Sequence, residues 1–154
     1  IAGPVADPTA TRKLFEVGVE VVRVGFDSRF DSQNYMETGV AMPHASSLSI
    51  NGEVARNFSK HIFAAGHYTD TADISKSICL GATAVEISEM FYGHEESYGR
   101  TETIDGKMYK NNTEYNGQII NTTIDMQRQL IKSCQLAGYK TLKSFRDSAS
   151  IIII

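Results

Sequence analysis

The stretch Ile62-Phe63-Ala64-Ala65-Gly66, followed by Asp70-Thr71, Ile74, Ile78 and Gly81 and then by Ala84-Val85-Glu86-Ile87, decides the fold. Ile62 to Ala65 is a continuous apolar run of buried-strand type that ends at a glycine. Asp70-Thr71 supplies a capping oxygen for a helix that carries Ile74 and Ile78 four residues apart on one face, and Gly81 closes it. Ala84 to Ile87 is the next strand. Strand, helix and strand in this order define a parallel βαβ unit.

The same alternation extends in both directions. Upstream, Asp7-Pro8-Thr9 combines a capping residue with a helix-compatible proline, and Leu14, Phe15 and Val17 share one side before Gly18 stops the helix. Val21 to Val24 follows as a β-branched run interrupted by Arg23. Downstream, Ile120, Ile124, Leu130, Ile131 and Cys134 recur at helical spacing, which predicts an amphipathic helix over 119–137 with Gly138 as its stop. A short helix through Leu142 and Phe145 comes next. The four terminal isoleucines, Ile151 to Ile154, fit either a final strand or an unassigned run of sequence.

The chain of 154 residues, 42% of them apolar, has the size and composition of one folded domain, against roughly 100–200 residues per domain in general. A net charge of −3 and a pI near 5.8 give no basic footprint for nucleic acid or an anionic membrane surface. No apolar run approaches the ~20 residues of a membrane helix, and no basic-then-apolar signal segment opens the chain, so a cytoplasmic location is expected. Cys79 and Cys134 lie in helical patterns without a second cysteine at metal or redox spacing, and read as reduced core thiols. No metal is expected.

Several short segments, in order, carry a resemblance. These are Ile1-Ala2-Gly3-Pro4-Val5, Val21-Val22-Arg23-Val24-Gly25, Thr38-Gly39-Val40-Ala41-Met42-Pro43-His44 and Gly93-His94-Glu95-Glu96-Ser97. Further on come Tyr115-Asn116-Gly117, Asn121-Thr122-Thr123-Ile124-Asp125, Leu130-Ile131-Lys132-Ser133-Cys134 and Gly138. In this order and spacing the chain resembles the inosine-monophosphate dehydrogenase and GMP reductase family, and the GMP reductases in particular. The match runs ungapped to Ser97, slips after Gly106-Lys107-Met108-Tyr109-Lys110 and recovers at Tyr115. The resemblance implies an α/β fold, the C-terminal half (strands five to eight) of a (β/α)8 TIM barrel with additional C-terminal helices. It makes residues 1–154 a single domain and implies an N-terminal half before Ile1. A half barrel otherwise leaves two unpaired edges, which invite association with another subunit.

The resemblance also assigns the site. Ser32 stands where the family holds its nucleophilic cysteine, and a serine hydroxyl is a far poorer nucleophile than a thiol unless a base activates it. Asp27 and Arg29 replace glycines of that loop, and Asn34 replaces the threonine that assists ammonia chemistry in GMP reductases. The family's D-G-G after strand seven, whose aspartate binds the ribose, reads Ala65-Gly66-His67 here, so the ribose carboxylate is absent. Ser88 and Glu89 replace the paired glycines of the phosphate cradle, bringing negative charge toward a dianion. Between Lys110 and Tyr115 the family's long flap shrinks to Asn111-Asn112-Thr113-Glu114.

These substitutions imply a degenerate family member with a structural or assembly role. No catalytic residue and no cofactor are then expected, and Gly66, His67, Ser88 and Glu89 are left as vestigial substrate contacts. Two alternatives stand beside it: an active GMP reductase-like oxidoreductase that uses NADPH to convert GMP to IMP and ammonia, and a nucleotide-binding regulator. The expected partners are further copies of the chain and other protein subunits, without nucleic acid or membrane, in the cytoplasm or within a viral or other large assembly. Among the remaining residues His67 reads as a solvated loop histidine, His94 as a shaper of its loop, and His44 and His61 as undistinguished. Glu86, on the barrel-facing side of its strand, requires a partner or water. Asp70, Asp73, Glu95 and Glu96 read as surface charges or helix caps.

Overall fold

A computed structural model describes residues 1–25 and 33–151, with the side chains of residues 33 and 34 outside the description. Strand β1 (Ala2–Val5), helix α1 (Pro8–Glu16), β2 (Val21–Val24), α2 (Gln33–Thr38), α3 (His44–Phe58), β3 (His61–Ala65), α4 (Thr71–Cys79) and β4 (Ala84–Glu86) follow one another in the chain. The four strands form one parallel sheet in the order β1-β2-β3-β4, with Val22 opposite Ile62, Val24 opposite Ala64, and Ala64 opposite Val85. Since side chains alternate across a strand, Val22, Val24, Ile62 and Ala64 share one face, and all four are buried. Phe15 of α1, Leu48 and Val54 of α3 and Ile74 of α4 close over them as a single core. The opposite face carries Arg23, Phe63 and Glu86.

The expected helix starts hold in atomic detail. The Asp7 carboxylate accepts the amides of Thr9 (2.7 Å) and Ala10 (3.3 Å), and Asp70 accepts that of Asp73 (2.9 Å). Helix α3 carries no comparable pattern in the sequence, because three of the residues it buries, Ser47, Asn51 and Gly52, are not apolar. Their role is a polar clip. Asn51 Nδ2 donates to the carbonyls of Ala6 and Ser47 at 2.8 Å each, Ser47 Oγ donates to Ala6 at 2.9 Å, and the Thr11 hydroxyl donates to Asn51 Oδ1. One fully buried side chain thus ties α1 and α3 to the end of β1.

Beyond β4 the chain makes a three-stranded antiparallel sheet of β5 (Thr101–Ile104), β6 (Lys107–Lys110) and β7 (Thr113–Glu114). Asp105-Gly106 and Asn111-Asn112 form its two-residue turns, and all four residues have positive φ, as the turn type that matches strand twist requires. Helix α5 (Ile119–Leu136) follows, then α6 (Leu142–Ser148), which opens on a capping box between Thr141 and Ser144. Helices α1, α3 and α4 pack in that order across the sheet, and both α5 and α6 pack against α4 and against each other. Among the described residues no helix is long and apolar enough to cross a membrane. The terminal residues 152–154, where a final strand was one expectation, lie outside the described residues.

Removing the polar clip leaves buried donors and acceptors unpaired, at about 1–3 kcal/mol for each such group. Asn51→Ala is therefore expected to lower the urea midpoint by the equivalent of about 2–3 kcal/mol, whereas Asn57→Ala, on the exposed side of the same helix, stays within ~0.5 kcal/mol.

Candidate functional site

In a parallel α/β sheet the carboxyl ends of the strands gather the loops that bind and react. Here those ends are followed by Ala6, Gly25, Gly66-His67 and, just after β4, Ser88-Glu89. Gly25 adopts φ +109°, and a Cβ there would stand 2.0 Å from the Ala65 carbonyl oxygen and 2.7 Å from the His44 ring. A Cβ on Gly66 would lie 3.1 Å from His44 Nε2. The end of β2 thus lies close against β3 only because residue 25 is a glycine, and His44, at the first turn of α3, packs against both Gly25 and Gly66.

His44 has a context that the sequence did not disclose. Its Nε2 is hydrogen-bonded to the Tyr68 hydroxyl at 2.7 Å, which in turn contacts Ser77 Oγ at 3.0 Å, and the two rings meet edge to face. Burial pushes the His44 pKa below its ordinary value, outweighing the attraction of Asp73, and burial likewise pushes the Tyr68 hydroxyl up. The three side chains come from α3, the β3–α4 loop and α4. Only their positions in space connect them.

His67 is exposed on its loop, as expected, but it has a partner that the sequence did not disclose. Its Nδ1 contacts Glu89 Oε2, and each side chain is about one-third exposed (36% and 35%). The contact joins the loop after β3 to the short 3-10 turn Glu89–Phe91 after β4. Ser88 precedes that turn, and its carbonyl accepts the Phe91 amide at 3.0 Å. Gly66, His67, Ser88 and Glu89 are therefore brought to one rim. Ser32 lies outside the described residues, as do Asp27 and Arg29. The backbone of Asn34 lies in α2, but its side chain is outside the description.

Glu86 meets the requirement for a partner. Arg23 Nε and Nη2 reach its two carboxylate oxygens at 2.6 and 2.9 Å, a bidentate pair that spans β3. This hydrogen bonding holds the Glu86 carboxyl below the usual carboxylate range. The Gly93-His94-Glu95-Glu96-Ser97 loop is built for folding. His94 is buried, with Nε2 at 2.7 Å from Thr122 Oγ1 of α5, and Lys110 Nζ donates to the Glu95 carbonyl at 2.6 Å. Glu96 accepts the first amide of α5, from Ile119, at 2.9 Å; this hydrogen bond, foremost among the causes, lowers its pKa. Cys134 is buried, Cys79 is half-buried rather than core, and both thiols are free. Among the described residues no group of three or more His, Cys, Asp or Glu side chains is arranged to hold a metal ion.

A parallel sheet with helices returning along one face, glycine-ended strands and a polar rim at their carboxyl ends defines part of a (β/α) barrel domain. A sequence model of the "IMP dehydrogenase / GMP reductase domain" matches residues 1–117, and the chain belongs to that family. Among its relatives, the GMP reductase of Staphylococcus saprophyticus is 32% identical over 176 aligned positions, which cover 99% of this chain and 53% of that protein. The GMP reductase of Clostridium acetobutylicum is 32% identical over 174 positions with the same coverage, and that of Staphylococcus aureus 31% over 176. The chain thus spans about half the length of the curated relatives it matches. Because 176 aligned positions exceed 154 residues, at least 22 positions of the S. saprophyticus protein have no counterpart here.

The His44 environment carries a pH signature. A histidine whose folded pKa lies below its ordinary 6.5 binds its proton more readily in the unfolded chain, so its contribution is complete above about pH 6.5 and is lost as pH falls toward the folded value. The melting temperature is expected to fall between pH 7 and pH 5, with a shallower fall in His44→Gln. The depressed carboxylates Asp7, Glu86, Glu96 and Asp147 act lower, as pH drops through and below their ordinary 3.8 to 4.5.

Proposed function

We propose that this chain is the C-terminal half, strands five to eight, of a GMP reductase-like barrel that no longer carries out purine-nucleotide chemistry and serves a structural or assembly role. The observation that carries this reading is the contact between His67 and Glu89. By the family resemblance His67 is the last residue of the segment whose first position holds the ribose-binding aspartate, and Glu89 belongs to the phosphate cradle. Here they engage each other across the rim. A carboxylate at a phosphate site opposes a dianion, and a ligand entering there must first break this pair.

A second observation agrees. At the position of the family's flap, β6 passes into β7 through the two-residue turn Asn111-Asn112, with Lys110 paired directly to Thr113. A turn this tight has no room for a mobile cover, and positions missing from the alignment with the S. saprophyticus relative are consistent with that deletion. A nucleotide left uncovered and weakly held has no means of being positioned for hydride transfer. Ser32 in place of a thiol removes the nucleophile as well. No cofactor is required under this reading.

The names of the relatives favour a second reading, an active NADPH-dependent GMP reductase. The two separate in a GMP-dependent NADPH oxidation assay on the complete protein and on its Ser32→Cys variant. Both proteins are expected to remain at background, against roughly 1–10³ turnovers per second for ordinary enzymes. Turnover restored by Ser32→Cys overturns the proposal, since it would show that the rest of the site still operates.

A further inference from the structure

The antiparallel sheet β5-β6-β7 ends on β5, whose outer side has no neighbouring strand among the described residues. All four residues of β5 are exposed, and its register with β6 runs unbroken from Thr101 opposite Lys110 to Ile104 opposite Lys107. The hydrogen bonding shows which backbone groups are left over. The Tyr115 amide donates to the Met108 carbonyl at 2.9 Å, so the backbone of Met108 faces β7. Backbone direction alternates along an antiparallel strand, which turns Lys107 and Tyr109 toward their β5 partners Ile104 and Glu102. Thr101 and Thr103 therefore hold their N–H and C=O groups out along the open edge. Edge strands are ordinarily blunted by lysine, proline, a bulge or a cover, and β5 has none of these.

The side chains along this edge indicate its occupant. Arg100, Glu102 and Ile104 line one shallow depression together with Tyr109, so they share a face of the sheet. Neither Arg100 nor Glu102 has an ion-pair partner among the described residues. Two copies of β5 that meet edge to edge about a two-fold axis place each residue opposite one of the same face. An axis through Glu102 sets two carboxylates against each other, and like charges directly opposite are destabilising. An axis through Thr103 sets Glu102 opposite Ile104 and leaves both charges unmatched. An axis through Thr101 sets Arg100 of each copy opposite Glu102 of the other and joins the outward groups of the two Thr101 residues. Only this last register gives every charge an opposite partner and also pairs threonine with threonine.

We infer that β5 is a self-complementary docking edge that takes β5 of a second copy of this chain, antiparallel about a two-fold axis through Thr101, with reciprocal Arg100–Glu102 pairs on either side. This goes beyond the proposed function and is independent of whether the nucleotide site works. In the complete protein, Thr101→Cys and Thr103→Cys are compared for their rates of intermolecular disulfide formation under mild oxidation, with the linked residues identified by peptide mapping. Opposed residues of an antiparallel pair lie about 4.5–5.5 Å apart between Cα atoms, within disulfide reach, whereas in this register residue 103 is displaced from its counterpart by roughly 13 Å. Thr101→Cys is expected to crosslink at least about tenfold faster than Thr103→Cys. Adding Arg100→Glu to Thr101→Cys lowers its rate to that of Thr103→Cys, and adding Glu102→Arg as well restores it, because the charges are then exchanged but still paired. Thermal unfolding of each variant establishes that it is folded, and the comparison of 101 with 103 stands without the charge variants. Equal rates at 101 and 103 overturn the inference. A rate that Arg100→Glu leaves unchanged, or that the double exchange fails to restore, overturns it too. GMP turnover would end the degenerate reading without altering any of these rates.

Discussion

Parallel strands cannot be joined by tight turns, and each must be followed by a connection that climbs back to the other end of the sheet. That constraint governs the rest of this chain. It places α1, α3 and α4 on one face, where Val22, Val24, Ile62 and Ala64 pack against Phe15, Leu48 and Ile74. It also delivers every strand at its carboxyl end to the same rim. The close approach of β2 and β3 there depends on Gly25, and His44 fills the space that side chains at Gly25 and Gly66 would need. The sheet's second face is held in a different way, by a bidentate Arg23–Glu86 pair reaching over the intervening strand.

A family motif can persist for reasons other than its chemistry. Gly93-His94-Glu95-Glu96-Ser97 is retained here, and nearly all its visible work is mechanical. His94 anchors α5 through Thr122, Glu96 caps the helix at Ile119, and Lys110 ties the Glu95 carbonyl to β6. At the rim, in positions that the family resemblance assigns to the nucleotide site, His67 and Glu89 meet each other. A folding role constrains the first set independently of any ligand.

The parallel βαβ order was legible because it rests on local signals: apolar strand runs, Asp7 and Asp70 as caps, and glycines at helix ends. Helix α3 was not, because its buried face is built on Ser47 and Asn51, whose hydrogen-bonding partners Ala6 and Thr11 lie some forty residues away. Strands β5 to β7 escaped notice for the converse reason. Most of their residues are exposed, so they carry little alternation of apolar and polar side chains, and only the Asp-Gly and Asn-Asn turns mark them. At the rim, single residue types were readable and partnerships were not. His67 with Glu89, and His44 with Tyr68 and Ser77, join residues 9 to 24 positions apart, and no spacing rule connects them. A histidine at 67 and a carboxylate at 89, at the ends of neighbouring strands, are the one sequence signal that points to the first contact.

The central claim is that the rim has exchanged its ligand for an internal pair. A thermal-shift titration of the complete protein with GMP and with IMP tests it most directly, because a ligand that binds only the folded state stabilises it by about 2.7 kcal/mol at 100 times its dissociation constant. The account predicts no saturable shift with either nucleotide up to millimolar concentration. A saturable rise in melting temperature that grows further when Glu89 is replaced by glycine would contradict it, by showing a phosphate site that still functions beneath the His67–Glu89 contact.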